Sequence, residues 1–480
     1  MKPMNGERKT LELFEKAARN VVAYKKFLKK NHLNATDISR SKDFLTIPIM
    51  NKSNYLRRYP LKELTWKGSM RHHLIFTSTS GSTGEPFYFP REKLVDNQAA
   101  WVHDLFYKYR SDSKDKSTLV IVCFGMGVWI GGILTYQAFK IMGDRGESIS
   151  ILTPGINKAE IFNALKKIAY NFDEVIMVGY APFIKDIVDE APSQGVNLRK
   201  MNVRLIFAAE AFTEGFRDYI AKKAGLKNVL LDTMNIYGSA DIGAMAFETP
   251  ISILMRRLAQ RKPELFDSLF SSISKTPTFA QYNPEFIHFV SNNGRILLSG
   301  DSTIPLIKYD IGDHGGTMTF REVVRIFRNH GINILREAEK AGISKTILKF
   351  PFVYVYERAD LSTTLYGLQI YPETVREALL TKPISTYLTG KVTLITRYDH
   401  LQNQYLEINL ELQKNKNASQ ALKARTLTQI VKNLRLKNSE YRELSNFLKK
   451  RAYPRLVFWP NEHPEHFRPG IKQKWVKKQR

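Results

Sequence analysis

Four short segments hold side chains whose types and spacing can do chemistry on a phosphorylated ligand. The first is Thr77-Ser78-Thr79-Ser80-Gly81-Ser82-Thr83-Gly84-Glu85-Pro86. Hydroxyl side chains interleaved with Gly81 and Gly84 give a loop dense in O–H and N–H donors, and the glycines let backbone approach a polyphosphate closely. No Gly-Lys-Ser/Thr follows, so it is not a Walker A loop. Taken alone, such a run is more often a surface turn than a phosphate loop. In the second segment, Tyr237-Gly238-Ser239-Ala240-Asp241, a ring that can stack on a purine stands beside a carboxylate able to bind Mg²⁺ on a phosphate. The third, Pro305 to Asp313, ends a strand with a carboxylate after glycine; its two acceptor oxygens suit ribose hydroxyls. The fourth, Gly470-Ile471-Lys472-Gln473-Lys474, offers lysines near the C-terminus that reach toward a reacting anion.

The elements that position these segments follow from hydrophobic period. Residues 118–124 (TLVIVCF) form a wholly apolar run, the pattern of a parallel strand buried on both faces. Strands are expected at 174–178, 203–208 and near 228–231. Helices are expected at 132–141, 158–169, 182–190 and 213–224. Alternation at this spacing implies βαβ units with right-handed crossovers. Residues 10–35 carry one or two amphipathic helices, 41–60 an irregular arm, 252–275 a basic helical pair, and 285–320 paired strands turning at Asn292–Gly294 and Gly300-Asp301. The glycines of 124–136 (FGMGVWIGGILTY) suggest loop turns lining a cavity. Phe124, Trp129, Gly131 and Tyr136 are its candidate walls, near Tyr180 and Phe183, although aromatics here also suit plain core packing.

Composition bounds the answer. The chain has 480 residues, 43% hydrophobic and 25% charged, which excludes a disordered chain, collagen and a coiled coil. Cys123 is the single cysteine, so disulfide and cysteine–zinc frameworks are excluded and a cytoplasmic protein is expected. His463 and His466 have no companions for a zinc site, His72 and His73 read as an exposed pair, and Cys123 as an inert core residue. The formal charge of +27 favours anionic partners, an acidic membrane face among them, though dispersed lysines also fit a plain basic surface. Residues 411–480 hold 18 basic against 5 acidic residues. This composition shift places a boundary near 357–360, giving domains 1–356 and 357–480. No nucleic-acid recognition module is visible, and no apolar run is long enough to span a bilayer.

In order, the loop at 77–86, Tyr237–Asp241, Asp313, Glu357-Arg358-Ala359-Asp360 and Lys472 resemble the motifs of the adenylate-forming (acyl- and aryl-CoA synthetase) superfamily. Three further segments resemble its phenylacetate–CoA ligase branch, with coenzyme F390 synthetase-like and capsule-associated relatives: IPIMNKSNYLRRYP (47–60), YNPE (282–285) and Leu365 to Pro372. The resemblance runs over roughly residues 40–480. It implies an α/β fold, with a large N-terminal ATP- and acid-binding domain and a small, mobile α+β C-terminal lid.

The resemblance also implies roles. Thr79, Ser80, Gly81, Ser82, Thr83 and Gly84 would hold the ATP phosphates. Ala209, Glu210, Tyr237, Gly238 and Ser239 would frame the adenine. Asp313 would bind the ribose with Arg358 assisting, Asp360 would be the hinge, and Lys472 the adenylation lysine. Some positions depart from the pattern. Asp241 replaces a glutamate as the Mg²⁺-side carboxylate, Lys308 an arginine, and Glu357 a glycine. Ile471 interrupts the Gly-Lys order and Trp475 replaces an arginine, so Lys474 competes with Lys472. The implied activity is ATP- and Mg²⁺-dependent adenylation of a carboxylic acid, then transfer to a thiol, CoA first. The alternatives are loading of an acyl carrier protein or amine in surface-polysaccharide or natural-product assembly, and a non-catalytic nucleotide-binding sensor or scaffold of the same fold.

Overall fold

The computed structural model describes residues 6–34, 38, 46–79, 86–110, 116–270, 276–356, 363–379, 381–464, 466–467 and 476–478. Helices α1 (Gly6–Asn20) and α2 (Val22–Lys30) open the chain, and a short α3 (Leu61–Leu64) follows the arm. Strands β1 (Ile75–Ser78) and β2 (Tyr88–Arg91) pair antiparallel.

The α/β succession then runs α4 (Lys93–Lys108), β3 (Thr118–Cys123), α5 (Ile130–Asp144), β4 (Ile149–Leu152), α6 (Lys158–Lys167), β5 (Glu174–Tyr180), α7 (Ala181–Glu190), β6 (Val203–Ala208), α8 (Glu214–Ala224), α9 (Val229–Asp232) and β7 (Thr233–Ser239). β3, β4, β5, β6 and β7 are parallel neighbours in the order β4-β3-β5-β6-β7. The period of two explains their burial. Leu119, Ile121, Val175 and Met177 face one core layer; Val120, Val122, Ile176 and Val178 face the other.

The strand expected near 228–231 is instead the helical turn α9. Asn228 caps it, its side chain accepting from the Leu230 amide at 3.0 Å, and buried Asp232 pairs with Arg110 at 2.5 Å. The strand begins only at Thr233, because a capping residue outweighs the apolar run.

Beyond β7 the sheet turns antiparallel through β8 (Gly243–Phe247), followed by α10 (Pro250–Gln260), α11 (Pro263–Leu269), β9 (Thr278–Gln281), β10 (Ile287–Asn292), β11 (Arg295–Gly300), β12 (Leu306–Met318), α12 (Phe320–Asn329), α13 (Ile334–Lys340) and β13 (Phe352–Tyr356). The full sheet has eleven strands in the order β10-β11-β12-β13-β9-β8-β7-β6-β5-β3-β4. The pair α10 and α11 and the hairpins of 287–318 match the expected layout.

The C-terminal segment contains β14 (Thr363–Leu365), β15 (Leu368–Ile370), α14 (Pro372–Leu379), β16 (Leu388–Tyr398), β17 (Gln404–Leu412), α15 (Gln420–Lys437), α16 (Ser439–Leu448), β18 (Arg455–Trp459) and β19 (Val476–Lys478), with a four-stranded sheet ordered β18-β17-β16-β19. It meets the larger part through a shared buried apolar cluster, which holds Ile184 and Phe207 with Leu365 and Tyr366, and through polar contacts: Arg451 on Asp186 at 2.5 Å, Lys185 on Asn403 at 2.9 Å, and Trp129 on Glu443 at 2.9 Å.

A buried ionic network braces the centre. The Arg217 guanidinium bridges Glu248 at 2.7 Å and Glu214 at 2.9 Å, and Arg256 reaches Glu214 through Nε at 2.8 Å. Glu248 in turn accepts from the Asn235 amide at 3.0 Å, and the Asn235 side chain donates to the Glu210 carbonyl at 2.9 Å. Two strand ends that frame the site below are thereby locked together. Among the described residues, no helix is long and apolar enough to cross a membrane.

Candidate adenylate site

A cavity of about 360 Å³ opens outside the carboxyl ends of the parallel strands, where open α/β sheets bind ligands. Four of the five parallel strands deliver a wall. β3 runs into Phe124 and the turn before Trp129; β5 ends at Tyr180; β6 leads into Ala209 and Glu210; β7 carries Tyr237, Gly238 and Ser239. β12 brings Asp313, and Thr79 enters from the end of β1.

The polar half gathers residues distant in sequence. The Tyr237 hydroxyl donates to Asp313 Oδ2 at 2.6 Å. Glycine at 238 is required, because a Cβ there would stand 2.9 Å from the Gly243 carbonyl oxygen. Ala209 adopts φ +73°, a left-handed conformation that costs a non-glycine residue about 1 kcal/mol or more. Beside it, the buried Glu210 carboxylate accepts from the Gly367 amide and, at 2.9 Å, from Gln404 Nε2. The β6 end is therefore tied to the C-terminal segment. Gly367 has φ +82°, and a Cβ there would collide with the Tyr180 ring.

Asp241 also lines the cavity, but its oxygens are engaged. Oδ1 lies 3.1 Å from the Lys52 ammonium and Oδ2 accepts from the Tyr309 hydroxyl at 2.6 Å. Its side chain is 2% exposed. A carboxylate with an ammonium and a phenol on its two oxygens does not fit an inner-sphere Mg²⁺ ligand. No group of three or more metal-ligating side chains occurs among the described residues.

The other half of the cavity is aromatic and apolar. Phe124 and Tyr180 pack edge-to-face at 4.9 Å, and Trp129 and Gly131 complete the wall. Tyr136 does not line the cavity; it lies on the exposed side of α5, with Leu134 and Thr135 facing inward. Phe183 is buried in the core. The close packing of the Gly125–Gly132 turn explains the glycines. A Cβ at Gly132 would approach the Gly125 carbonyl oxygen to 2.5 Å and Met126 Sδ to 2.6 Å.

Several cavity residues carried no sequence signal. Lys52 sits in a single helical turn capped by Asn51, whose side chain accepts from the Ser53 and Asn54 amides; that capping pattern was the available clue. His103 lines the cavity and hydrogen-bonds the Ala99 carbonyl through Nδ1 at 2.7 Å; burial lowers its pKa to about 4, so it is neutral. Glu440 and Glu443 come from α16, more than 300 residues after Trp129 in sequence. Glu443 accepts from the Trp129 indole N–H at 2.9 Å. Glu440 lines the cavity, and burial, with Glu443 adding like charge, pushes its carboxyl up to about 7.

The remaining candidates divide simply. Ser80, Gly81, Ser82, Thr83, Gly84, Arg358, Asp360, Lys472 and Lys474 lie outside the described residues. Lys308 is structural: its ammonium donates to the Ile47 carbonyl at 2.8 Å, and burial lowers its pKa. Cys123 is fully buried, which pushes its thiol pKa upward. The His463 and His466 rings pack on Trp459. His72 is exposed, 3.7 Å from Glu92.

No protein-family model matches this sequence, and no curated protein is similar to it. The structure does have solved neighbours. A 2-hydroxyisobutyryl-CoA ligase in complex with 2-HIB-AMP and CoA, in the thioesterification state, aligns with a TM-score of 0.60 at 14% identity, over 99% of this chain and 90% of that one. The chain has the adenylate-forming fold. Two other states of that ligase align less well. The postadenylation state with R3-HIB-AMP gives 0.52 at 13% identity, over 99% and 90% of the two chains. The open conformation with 2-HIB-AMP and CoA gives 0.50 at 13%, over 98% and 91%. The adenylate-forming fold includes a small C-terminal domain.

Proposed function

We propose that this protein activates a carboxylic acid with ATP and transfers the acyl group to a thiol, CoA being the first candidate. The observation that carries the reading is the Tyr237–Asp313 pair, set in one cavity with the apolar Phe124–Trp129–Tyr180 wall. An aromatic ring beside a carboxylate suits an adenosine; an apolar recess beside it suits the body of an acid. The five ordered sequence motifs and the fold support the same assignment.

In this reading the Thr79–Gly84 loop holds phosphates, Ala209, Glu210 and Tyr237 frame the adenine, and Asp313 takes ribose hydroxyls with Arg358 assisting. Lys472 or Lys474 offsets charge as the acid's carboxylate oxygen attacks the α-phosphorus and pyrophosphate leaves. The thiol sulfur then attacks the acyl carbonyl, and AMP departs. Asp360 is the hinge between residues 1–356 and 357–480. The alignment with the thioesterification state of the ligase supports a C-terminal segment docked for the second step. The strongly basic 411–480 segment favours an acidic carrier protein as the second acceptor to test.

The test is ATP–pyrophosphate exchange over a panel of carboxylic acids, with Lys472→Ala, Lys474→Ala and Asp313→Ala alongside wild type. Exchange with one class of acid, lost in Asp313→Ala and in one lysine variant, is expected. ATP binding without exchange for any acid favours the sensor reading, in which Asp241 held by Lys52 and Tyr309 is a structural tie.

A further inference from the structure

The C-terminal helix α16 places two carboxyl groups at the apolar end of the cavity, and they are not equivalent. Glu443 is held by the Trp129 indole at 2.9 Å. Glu440, one turn earlier, lines the cavity itself and is half-buried. Burial first, and then Glu440, Glu443 and Glu210 by like charge, raise the pKa of Tyr180, so all three carboxyls lie near the same ring. Glu440 is thus brought to the cavity by the segment that carries β14–β19, and not by the sheet that frames the nucleotide end.

We infer that Glu440 is the general base of acyl transfer, taking the proton from the incoming thiol as its sulfur attacks the acyl-adenylate. The inference rests on the reading under Proposed function. The step balances without any redox partner. The S–H bond breaks and its proton passes to a Glu440 oxygen; the sulfur lone pair forms the C–S bond; the carbonyl carbon then releases its bond to the phosphate oxygen, and AMP leaves.

The electrostatic setting suits that task. Burial first, and Glu443 second, push the Glu440 carboxyl up to about 7, where a base is strongest while still deprotonated near neutrality. The cations lining the same cavity are Lys52, which is paired with Asp241, and Arg57. On the acidic side, Glu210 is held by Gly367 and Gln404, and Asp313 by Tyr237. The neutral His103 ring adds no charge.

The test separates the two half-reactions. Transfer is measured in single turnover from chemically made acyl-adenylates (aryl, branched and medium-chain) to CoA, in wild type, Glu440→Gln and Glu440→Asp. Pyrophosphate exchange is measured in parallel. Glutamine is expected to slow transfer by about a hundredfold and far more than it slows exchange. The wild-type transfer rate should rise with pH through about 7; the glutamine variant should lack that rise, and aspartate should restore part of it. Equal transfer in wild type and Glu440→Gln overturns the inference. So does a loss confined to exchange with a changed preference among acids, which would make Glu440 a recognition group for the acid. Failure of wild-type exchange with every acid rejects the adenylation reading, while transfer from the preformed adenylates still decides the role of Glu440.

Discussion

The hydroxyl of Tyr237 and the carboxylate of Asp313 meet at 2.6 Å, although 76 residues separate them. One residue lies on β7 and the other on β12, strands that are not neighbours in the sheet. The bond fixes the orientation of a carboxylate that lines the cavity. A hydrogen bond to a charged group contributes about 1.5–3 kcal/mol. Tyr237→Phe should therefore weaken ATP binding by about tenfold or more, read by calorimetry, with Asp313→Asn at least as severe. Unchanged affinity in both would remove the pair from the nucleotide site.

The Trp129–Glu443 bond joins the larger part to α16. Glu443→Ala leaves the indole N–H without its acceptor. Amide hydrogen exchange across residues 439–448 should quicken by about tenfold, since a bond of this kind holds a local opening closed. The core strand 118–123 should exchange as in wild type, and equal acceleration of both segments would point to global destabilisation instead.

Two adjacent glycines give opposite expectations. Gly132→Ala forces a methyl against the Gly125 carbonyl and Met126 and should cost about 1–3 kcal/mol of stability. At Gly131 the nearest atom to a new Cβ is Phe124 Cγ at 3.4 Å, an ordinary contact. Gly131→Ala should fold normally and narrow the cavity, shifting preference toward smaller acids. Thermal melts and an exchange panel check the two outcomes.

Glu440 also predicts a pH signature in stability. Its folded pKa of about 7 lies above the ordinary glutamate value of 4.5, so the folded state holds this proton to higher pH than the unfolded state does. The penalty for ionising it begins above about 4.5 and is complete above about 7. Glu440→Gln should stabilise the protein at pH 8, by at most on the order of 3 kcal/mol, and give no gain below pH 4.5. Melting temperatures at the two pH values test the sign.

Much of this architecture was legible in local sequence. The run at 118–123 is buried throughout because helices cover both faces of β3, and 203–208 follows the same logic, while 214–224 shows the one-sided burial of a surface helix. Where legibility failed, the cause was local chemistry. Asn228 caps a helical turn where an apolar run suggested a strand, and Tyr136 falls on the outer side of α5 although its neighbours face inward. Asp241, Tyr237 and Asp313 were each visible as chemical groups. That Lys52 and Tyr309 hold the first, and that the other two touch, depends on pairings across the fold that no spacing encodes. Glu440 and Glu443 were silent for the same reason: a helix start reading SEYREL announces nothing until the helix docks beside Trp129.

Gly367 gives the docked arrangement a built-in reporter. Its left-handed φ and its position against the Tyr180 ring leave no room for a methyl. The backbone strain of alanine at this site is the same wherever the C-terminal segment sits, but the collision exists only while that segment is docked. Gly367→Ala would thus act as a wedge, shifting the population toward separated arrangements. The same substitution would turn the scattering profile of the protein in solution into a gauge of how firmly its two parts are held.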